Sequence, residues 1–342
     1  MFRLVWLVMV VFLAGLSLPV QAEAARSRTQ AAKVAPAKAA KAPVRKQRAA
    51  KARAPRAKAS PTVRARAGRQ IVRITRPRAR YHYRAAAVQS DSPAALKSQA
   101  VLVLDPATRV VLFEKNAESV MPIASLTKLM TALVVVEARQ DMDELLVVTD
   151  ADVDRVKNST SRLRVGTRLP RSAMLHIALM SSENRAANAL GRNYPGGARA
   201  FVAAMNARAA SLGMTRTRYV EPTGLSSANV STAGDLAKLV VAAQRQPLIR
   251  EYSTDPDYTI DQAGHATPYR NSNGLISNAS WDIDLQKTGY ISEAGRCMVL
   301  YTEIDGKDVV MVFLDSQGSQ TRLADANRVR AWLASTHRSA QQ

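Results

Sequence analysis

The sequence holds very little cysteine and histidine, the residue types that most often build disulfides and transition-metal sites. Cys297 is the only cysteine among 342 residues, so no internal disulfide can form. It lies in an apolar segment, which is typical of a buried strand residue rather than of a reactive thiol. The four histidines are scattered, and neither an HExxH motif nor a closely spaced Cys or His pair is present. The sequence therefore predicts no metal site and no cofactor.

Long apolar runs are also scarce, and the one that approaches the length of a membrane span lies at the N-terminus. Residues 1–22 combine a positive Arg3, an apolar stretch over 4–18 and the small-residue site Val20-Gln21-Ala22, the pattern of a secretory signal peptide. The stretch is short for a membrane span, which needs about 20 residues, and an uncleaved anchor is the alternative. We therefore expect export, with the periplasm as the location.

Acidic residues are absent from residues 24–84, where 20 Lys or Arg side chains are interleaved with Ala and Pro. This segment supplies almost all of the net charge of +22, because residues 85–342 hold 28 basic and 26 acidic residues. Since few apolar side chains are present to offset chain entropy, residues 23–90 are predicted to be a disordered tail. An electrostatic tether to an anionic envelope polymer and a solvated spacer both fit this tail. The signal peptide argues against a nucleic-acid partner.

Residues 91–336 are predicted to form one folded domain, followed by a short tail over 337–342. Two β-type runs come first, helical periodicity dominates the middle, and three β-type runs return before a last amphipathic helix. The Asp305-Gly306 pair is a strong hairpin signal. We therefore predict an α/β (α+β) fold, with one antiparallel sheet built from both ends of the domain and helices on its faces. The predicted strands cover 99–104, 109–114, 285–290, 295–304 and 307–314, and the predicted helices cover 123–139, 171–193, 197–212, 232–244 and 322–335.

A serine and a lysine stand three residues apart near the start of the first helix, in the motif Ser125-Leu126-Thr127-Lys128. That spacing puts both side chains on one helix face. A serine hydroxyl needs a base to become a nucleophile, and the sequence offers neither a nearby histidine nor a Gly-x-Ser-x-Gly motif. A buried lysine can be that base, because burial and a second cation such as Lys287 both lower its pKa. A helix-capping serine beside a solvated lysine is the alternative, and it fits poorly in so apolar a segment.

Two further motifs follow in order, Ser182-Glu183-Asn184 and Lys287-Thr288-Gly289. In the first, Ser182 would relay a proton to a leaving amine and Asn184 would hold Lys128 or a substrate amide. In the second, Lys287 and Thr288 would receive a substrate carboxylate, while Gly289 lets a peptide approach the strand edge. A helix cap and a strand end are the structural alternatives. The three motifs together are a far stronger signal than any of them alone.

With these motifs the chain resembles the low-molecular-mass penicillin-binding proteins, the D-alanyl-D-alanine peptidases, over roughly residues 94–333. The resemblance implies a five-stranded antiparallel sheet flanked by helices, a helical subdomain, an acyl-enzyme on Ser125 with Lys128 as base, and covalent inhibition by β-lactams. It also implies an oxyanion hole made by the backbone N–H groups of Ser125 and Tyr290. The similarity extends beyond the motifs to 221–226, 229–237, 271–275 and 287–295.

Two positions resemble the endopeptidase type of this family more than the carboxypeptidase type. Glu183 stands where carboxypeptidases usually have glycine, and Tyr290 points the same way. The resemblance therefore implies hydrolysis of D-alanyl cross-links between the stem peptides of peptidoglycan. A D-alanyl-D-alanine carboxypeptidase is the nearest alternative, followed by a β-lactamase and an inactive peptidoglycan-binding module. The sequence leaves the cross-link diamino acid, the oligomeric state and the regulatory partners open.

Overall fold

A computed structural model describes residues 84–85, 93, 96–318 and 320–339 of the chain. The predicted signal peptide at 1–22 and nearly all of the predicted tail at 23–90 lie outside these residues. Within the part that is described, no helix has the length and apolar character needed to cross a membrane.

The main sheet has five long antiparallel strands, as predicted, in the spatial order β3-β2-β12-β11-β10, and a two-residue strand, β1, adds to β3 in parallel. Strands from both ends of the domain therefore meet through the pairing of β2 with β12. Outside the main sheet, β4 pairs with β7 and β5 pairs with β6, and β8 and β9 form a separate hairpin. The strands are β1 (Arg84–Ala85), β2 (Ser98–Leu104), β3 (Val110–Lys115), β4 (Met121–Pro122), β5 (Leu145–Val147), β6 (Arg168–Pro170), β7 (Val230–Ser231), β8 (Asp257–Asp261), β9 (Ala266–Arg270), β10 (Asp282–Ile291), β11 (Gly295–Ile304) and β12 (Lys307–Ser316).

Local side-chain and backbone chemistry forms two hairpin turns of the sheet, of which the sequence analysis indicated the one at Asp305-Gly306. Asp305 and Gly306 both have positive φ, at 51° and 75°, which is the backbone of a two-residue turn that matches strand twist. In the β2–β3 turn, the Asp105 carboxylate accepts hydrogen bonds from the backbone N–H groups of Ala107 and Thr108. These turns set the strand register at both ends of the domain.

Side chains alternate between two cores, one on each face of the sheet. Leu102 and Val312 belong to the larger core, which also contains the central helices. Their strand neighbours Val103 and Met311 belong to a smaller core with Val329 of the C-terminal helix. This alternation follows from the two-residue period of a strand and makes the sheet the middle layer of the domain.

The helical region differs from the sequence prediction in one place that matters for function. Residues 171–193 form two helices, because the chain turns sharply at 181–183, where Ser182 has a φ of 63°. A further helix over 247–254 was not predicted. The helices are α1 (Thr127–Glu137), α2 (Arg171–Met180), α3 (Asn184–Arg192), α4 (Gly197–Ser211), α5 (Ala233–Gln244), α6 (Pro247–Thr254) and α7 (Thr321–Ser339).

Candidate active site

Ser125 and Lys128 lie where a short 3-10 turn over 124–126 leads into α1. The Lys128 side chain is 1% exposed, and its Nζ is 2.9 Å from Ser125 Oγ. The same Nζ also donates to Asn184 Oδ1 at 2.7 Å and to the Thr223 carbonyl at 2.7 Å. The ammonium or amine is therefore fixed in position by groups from three separate segments.

Two glycines leave room for the backbone around Ser125. A Cβ on Gly224, whose φ is +83°, would lie 1.9 Å from the Ala124 carbonyl oxygen. A Cβ on Gly289 would lie 2.9 Å from the Ser125 backbone nitrogen. Since real Cβ atoms do not come so close to backbone, both glycines are required for this packing. The close approach of β10 brings the Ser125 N–H to the strand that carries Tyr290.

The buried environment of Lys128 makes its neutral form more favourable than it is in water. Burial lowers the pKa of Lys128 to about 8, although the carboxylates of Glu221, Glu183 and Asp154 oppose the shift. Lys287, which is 0% exposed, has its pKa lowered well below the usual range by burial and then by repulsion from Lys128 and Arg322. A buried lysine with a pKa near 8 is suited to act as a general base near neutral pH.

The Ser182-Glu183-Asn184 motif forms the turn between α2 and α3, which we call the helical wall. Glu183 caps α3 by accepting from the backbone N–H of Arg185 at 3.1 Å, and it also accepts from Ser161 Oγ at 2.8 Å. Both ends of the Asn184 amide form hydrogen bonds. Its Oδ1 accepts from Lys128 Nζ, and its Nδ2 donates to Ser159 Oγ at 3.0 Å. Ser182 lies on the same turn and lines an opening of about 340 Å³ beside Asn184.

The Lys287-Thr288-Gly289 motif and Tyr290 lie on β10, which we call the sheet wall. β10 is an outermost strand of the described sheet, so one backbone edge is free to pair with a peptide. Thr288 Oγ1 is 2.7 Å from Ser272 Oγ, and Lys287 Nζ donates to the Thr288 carbonyl at 2.9 Å. The Tyr290 side chain is 57% exposed at the cleft mouth, with the Arg296 guanidinium 4.7 Å from its ring centre.

The structure thus brings Ser125, Lys128 and Asn184 into direct hydrogen-bond contact and packs Gly289 against the Ser125 backbone. Ser182 and Thr288 line the two walls, and Tyr290 lies at the mouth. The site also contains several groups to which the sequence analysis gave no role. The Thr223 carbonyl holds Lys128, Ser159 holds Asn184, Ser272 contacts Thr288, and Arg322 donates to the Gly289 carbonyl at 3.2 Å. In the described residues, no group of three or more Asp, Glu, His or Cys side chains could hold a metal ion.

Comparisons with known proteins agree with this geometry. A family described as D-alanyl-D-alanine carboxypeptidase matches residues 87–318. A D-alanyl-D-alanine endopeptidase of Pseudomonas aeruginosa is 49% identical over 240 residues, covering 70% of this chain and 77% of the relative. A D-alanyl-D-alanine endopeptidase of Escherichia coli is 45% identical over 250 residues, covering 72% of this chain and 81% of the relative.

Solved structures of DD-peptidases share the fold of this chain. The Streptomyces K15 DD-transpeptidase superimposes with a TM-score of 0.66 at 27% identity, covering 71% of this chain and 98% of that protein. The resemblance that the three motifs indicate is therefore confirmed, and the chain belongs to the D-alanyl-D-alanine carboxypeptidase family of serine peptidases.

Proposed function

We propose that this chain is a serine D-alanyl-D-alanine endopeptidase that hydrolyses peptidoglycan cross-links between stem peptides. The contact of 2.9 Å between Lys128 Nζ and Ser125 Oγ, in a buried site, carries the proposal. The two relatives of 49% and 45% identity named as endopeptidases support the choice of reaction, together with Glu183 and Tyr290.

Acylation begins with transfer of the Ser125 hydroxyl proton to a neutral Lys128. Ser125 Oγ then attacks the carbonyl carbon of the D-alanine that is joined to the acceptor stem. The negative charge that develops on the carbonyl oxygen is received by the backbone N–H groups of Ser125 and Tyr290. Each such donor contributes roughly 3 kcal/mol to transition-state stabilisation.

Collapse of this intermediate breaks the bond to the amine of the acceptor stem, and the amine takes a proton from Lys128 through Ser182. The substrate carboxylate beside the scissile bond lies at Lys287 and Thr288, where its negative charge favours the protonated form of Lys287. The Lys287 cation in turn favours the neutral form of Lys128. Asn184 holds Lys128 in place through its Oδ1. Water then attacks the ester, Lys128 takes its proton, and Ser125 is released.

Export to the periplasm by a signal peptide at 1–22 is part of the same proposal, because the substrate polymer lies there. The tail at 23–90 would add an electrostatic tether to an anionic envelope polymer. β-Lactams would act as covalent inhibitors, since their amide carbonyl is open to attack by the same serine.

Digestion of purified sacculi with the mature protein and with Ser125→Ala tests the proposal, with the fragments identified by mass. We expect cross-linked dimers to become monomers only when Ser125 is intact. Shortening of pentapeptides to tetrapeptides without loss of cross-links would replace the endopeptidase with a carboxypeptidase. Labelling of Ser125 by a fluorescent penicillin, followed by slow release, separates a peptidase from a β-lactamase, and no labelling would indicate an inactive binding module.

A further inference from the structure

An ion pair joins the two walls at one end of the cleft. Lys157 lies in the loop over 153–163, which follows a short 3-10 turn, and its Nζ pairs with the carboxylate of Glu293. Glu293 lies in the turn between β10 and β11. The two side chains are 28% and 43% exposed, so the pair lies at the surface of the cleft rather than in its floor.

The 153–163 loop is held rigidly before Lys157 reaches across. The Asp154 carboxylate accepts from the backbone N–H groups of Val156 at 2.7 Å, Lys157 at 3.0 Å and Ser159 at 2.8 Å. Behind the loop, Ser159 and Ser161 are bonded to Asn184 and Glu183 of the helical wall. The loop is therefore an extension of the helical wall.

On the sheet wall, the Glu293 carboxylate is likewise held by a neighbouring residue. Its second carboxylate oxygen accepts from Ser292 Oγ at 2.7 Å, and the turn that carries it continues directly from the sheet wall. Both partners therefore start from backbone segments that are already held in place, and closing the pair orders the Lys157 side chain across the cleft.

The proposed reaction fixes which part of the substrate meets this pair. The substrate carboxylate lies at Lys287 and Thr288, and the scissile carbonyl lies at the N–H of Tyr290. The acyl-donor peptide therefore continues along β10 past Tyr290, toward the turn that carries Glu293. Tyr290, which is 57% exposed, lies on this path and offers apolar contact to a peptide, and Val156 beside Lys157 is 66% exposed.

We propose that the Lys157–Glu293 ion pair is a specificity gate across the acyl-donor end of the cleft. An acyl donor with a peptide long enough to reach Glu293 enters only when the pair is broken, whereas a small donor reacts with the pair intact. The gate determines which donors reach Ser125 and takes no part in the bond-making steps. This inference rests on the proposed function, because that function sets the direction of the peptide along β10.

The gate is expected to be easy to open. A partly exposed ion pair is weak and is screened by salt, so closure discriminates between donors by about two- to fivefold. The effect should therefore appear as a ratio between two donors and not as an all-or-none change in activity.

Acylation of Ser125 by two penicillins tests the gate. One is 6-aminopenicillanic acid, which lacks an acyl side chain, and the other carries a long peptide-like acylamino side chain. In Lys157→Gln and in Glu293→Gln we expect the acylation rate constant for the long penicillin to rise about two- to fivefold, with 6-aminopenicillanic acid unchanged. Higher salt should raise the long-donor rate of the unsubstituted protein toward that of the variants.

Matched controls separate the gate from general charge effects. The Arg208–Glu137 pair has similar exposure, at 31% and 32%, and lies on α4 and α1, so Glu137→Gln should leave the ratio unchanged. The double variant K157E/E293K, which restores an ion pair with reversed charges, should restore the slower long-donor rate.

An unchanged ratio in both single variants would overturn the gate while leaving the proposed function intact, since Ser125 is still acylated. A fall in both rates would also overturn it, because the pair would then support the wall rather than restrict entry. If neither penicillin labels Ser125 in the unsubstituted protein, the proposed function fails and the gate fails with it.

Discussion

At the helical wall, Asn184 holds the α1 side chain Lys128 by a hydrogen bond, whereas on the sheet wall Gly289 contributes because it has no side chain. The reactive groups of the first wall are fixed by a network that would tolerate a small backbone shift. The second wall depends on a backbone approach that a single methyl group would block. One cleft thus combines a chemical requirement for particular functional groups with a steric requirement for empty space, and different substitutions test each requirement.

The largest effect is expected from removing the base on α1, which the helical wall holds through Asn184. Lys128→Met keeps a long apolar stem but cannot accept the Ser125 proton, so penicillin acylation should fall by about 10²- to 10⁴-fold. Stopped-flow labelling measures the rate, and thermal unfolding checks that the variant folds. Lys238→Met, at another lysine of low exposure that pairs with Asp235 on α5, is the control and should keep its acylation rate. A loss smaller than about tenfold in Lys128→Met would exclude Lys128 as the base.

A smaller loss is expected from filling the space on the sheet wall. In Gly289→Ala the new Cβ would meet the Ser125 backbone nitrogen, so the strand must move away and the two oxyanion donors separate. Acylation should fall by about 10²- to 10³-fold, the usual effect of losing an oxyanion donor. Gly274→Ala is the matched control, because nothing lies within 4 Å of its added Cβ. Equal acylation rates in Gly289→Ala and Gly274→Ala would show that the space beside Gly289 is not required.

The pH dependence of acylation sharpens the comparison further. With a Lys128 pKa of about 8, roughly a tenth of the molecules hold the neutral base at pH 7. The acylation rate constant of the free enzyme should therefore rise about tenfold from pH 7 and level off above pH 9. A rate that is flat over this range would place the base elsewhere.

The smallest effect is expected from the carboxylate of Glu183, which raises the pKa of Lys128. Glu183→Gln removes that charge, while the amide oxygen can still accept from Ser161 and Arg185. The midpoint of the pH profile should move to lower pH, so acylation at pH 7 becomes faster. Glu137→Gln should leave the midpoint in place, and a shift to higher pH in Glu183→Gln would contradict the sign of this interaction.

Much of the architecture could be predicted from local patterns. The continuous apolar runs of β2 and β12 and the Asp305-Gly306 turn indicate strands of an antiparallel sheet, because strand propensity and turn chemistry act over a few residues. The break at Ser182 was indicated only as a helix cap, and the range 171–193 was still predicted as one helix, since helical periodicity continues on both sides of it. The helix over 247–254 and the β8–β9 hairpin were also missed, because their stability depends on packing against distant elements.

The sequence by itself determined the residue types of the site and their order along the chain, and with them the family and the class of chemistry. Only the tertiary structure decided that the Thr223 carbonyl holds Lys128 across 95 positions and that Lys157 meets Glu293 across 136. It also decided that β10 is an outer strand with a free edge and that both lysines are buried deeply enough to change their pKa. Short-range patterns act through local backbone geometry, whereas these contacts depend on the path of the whole chain.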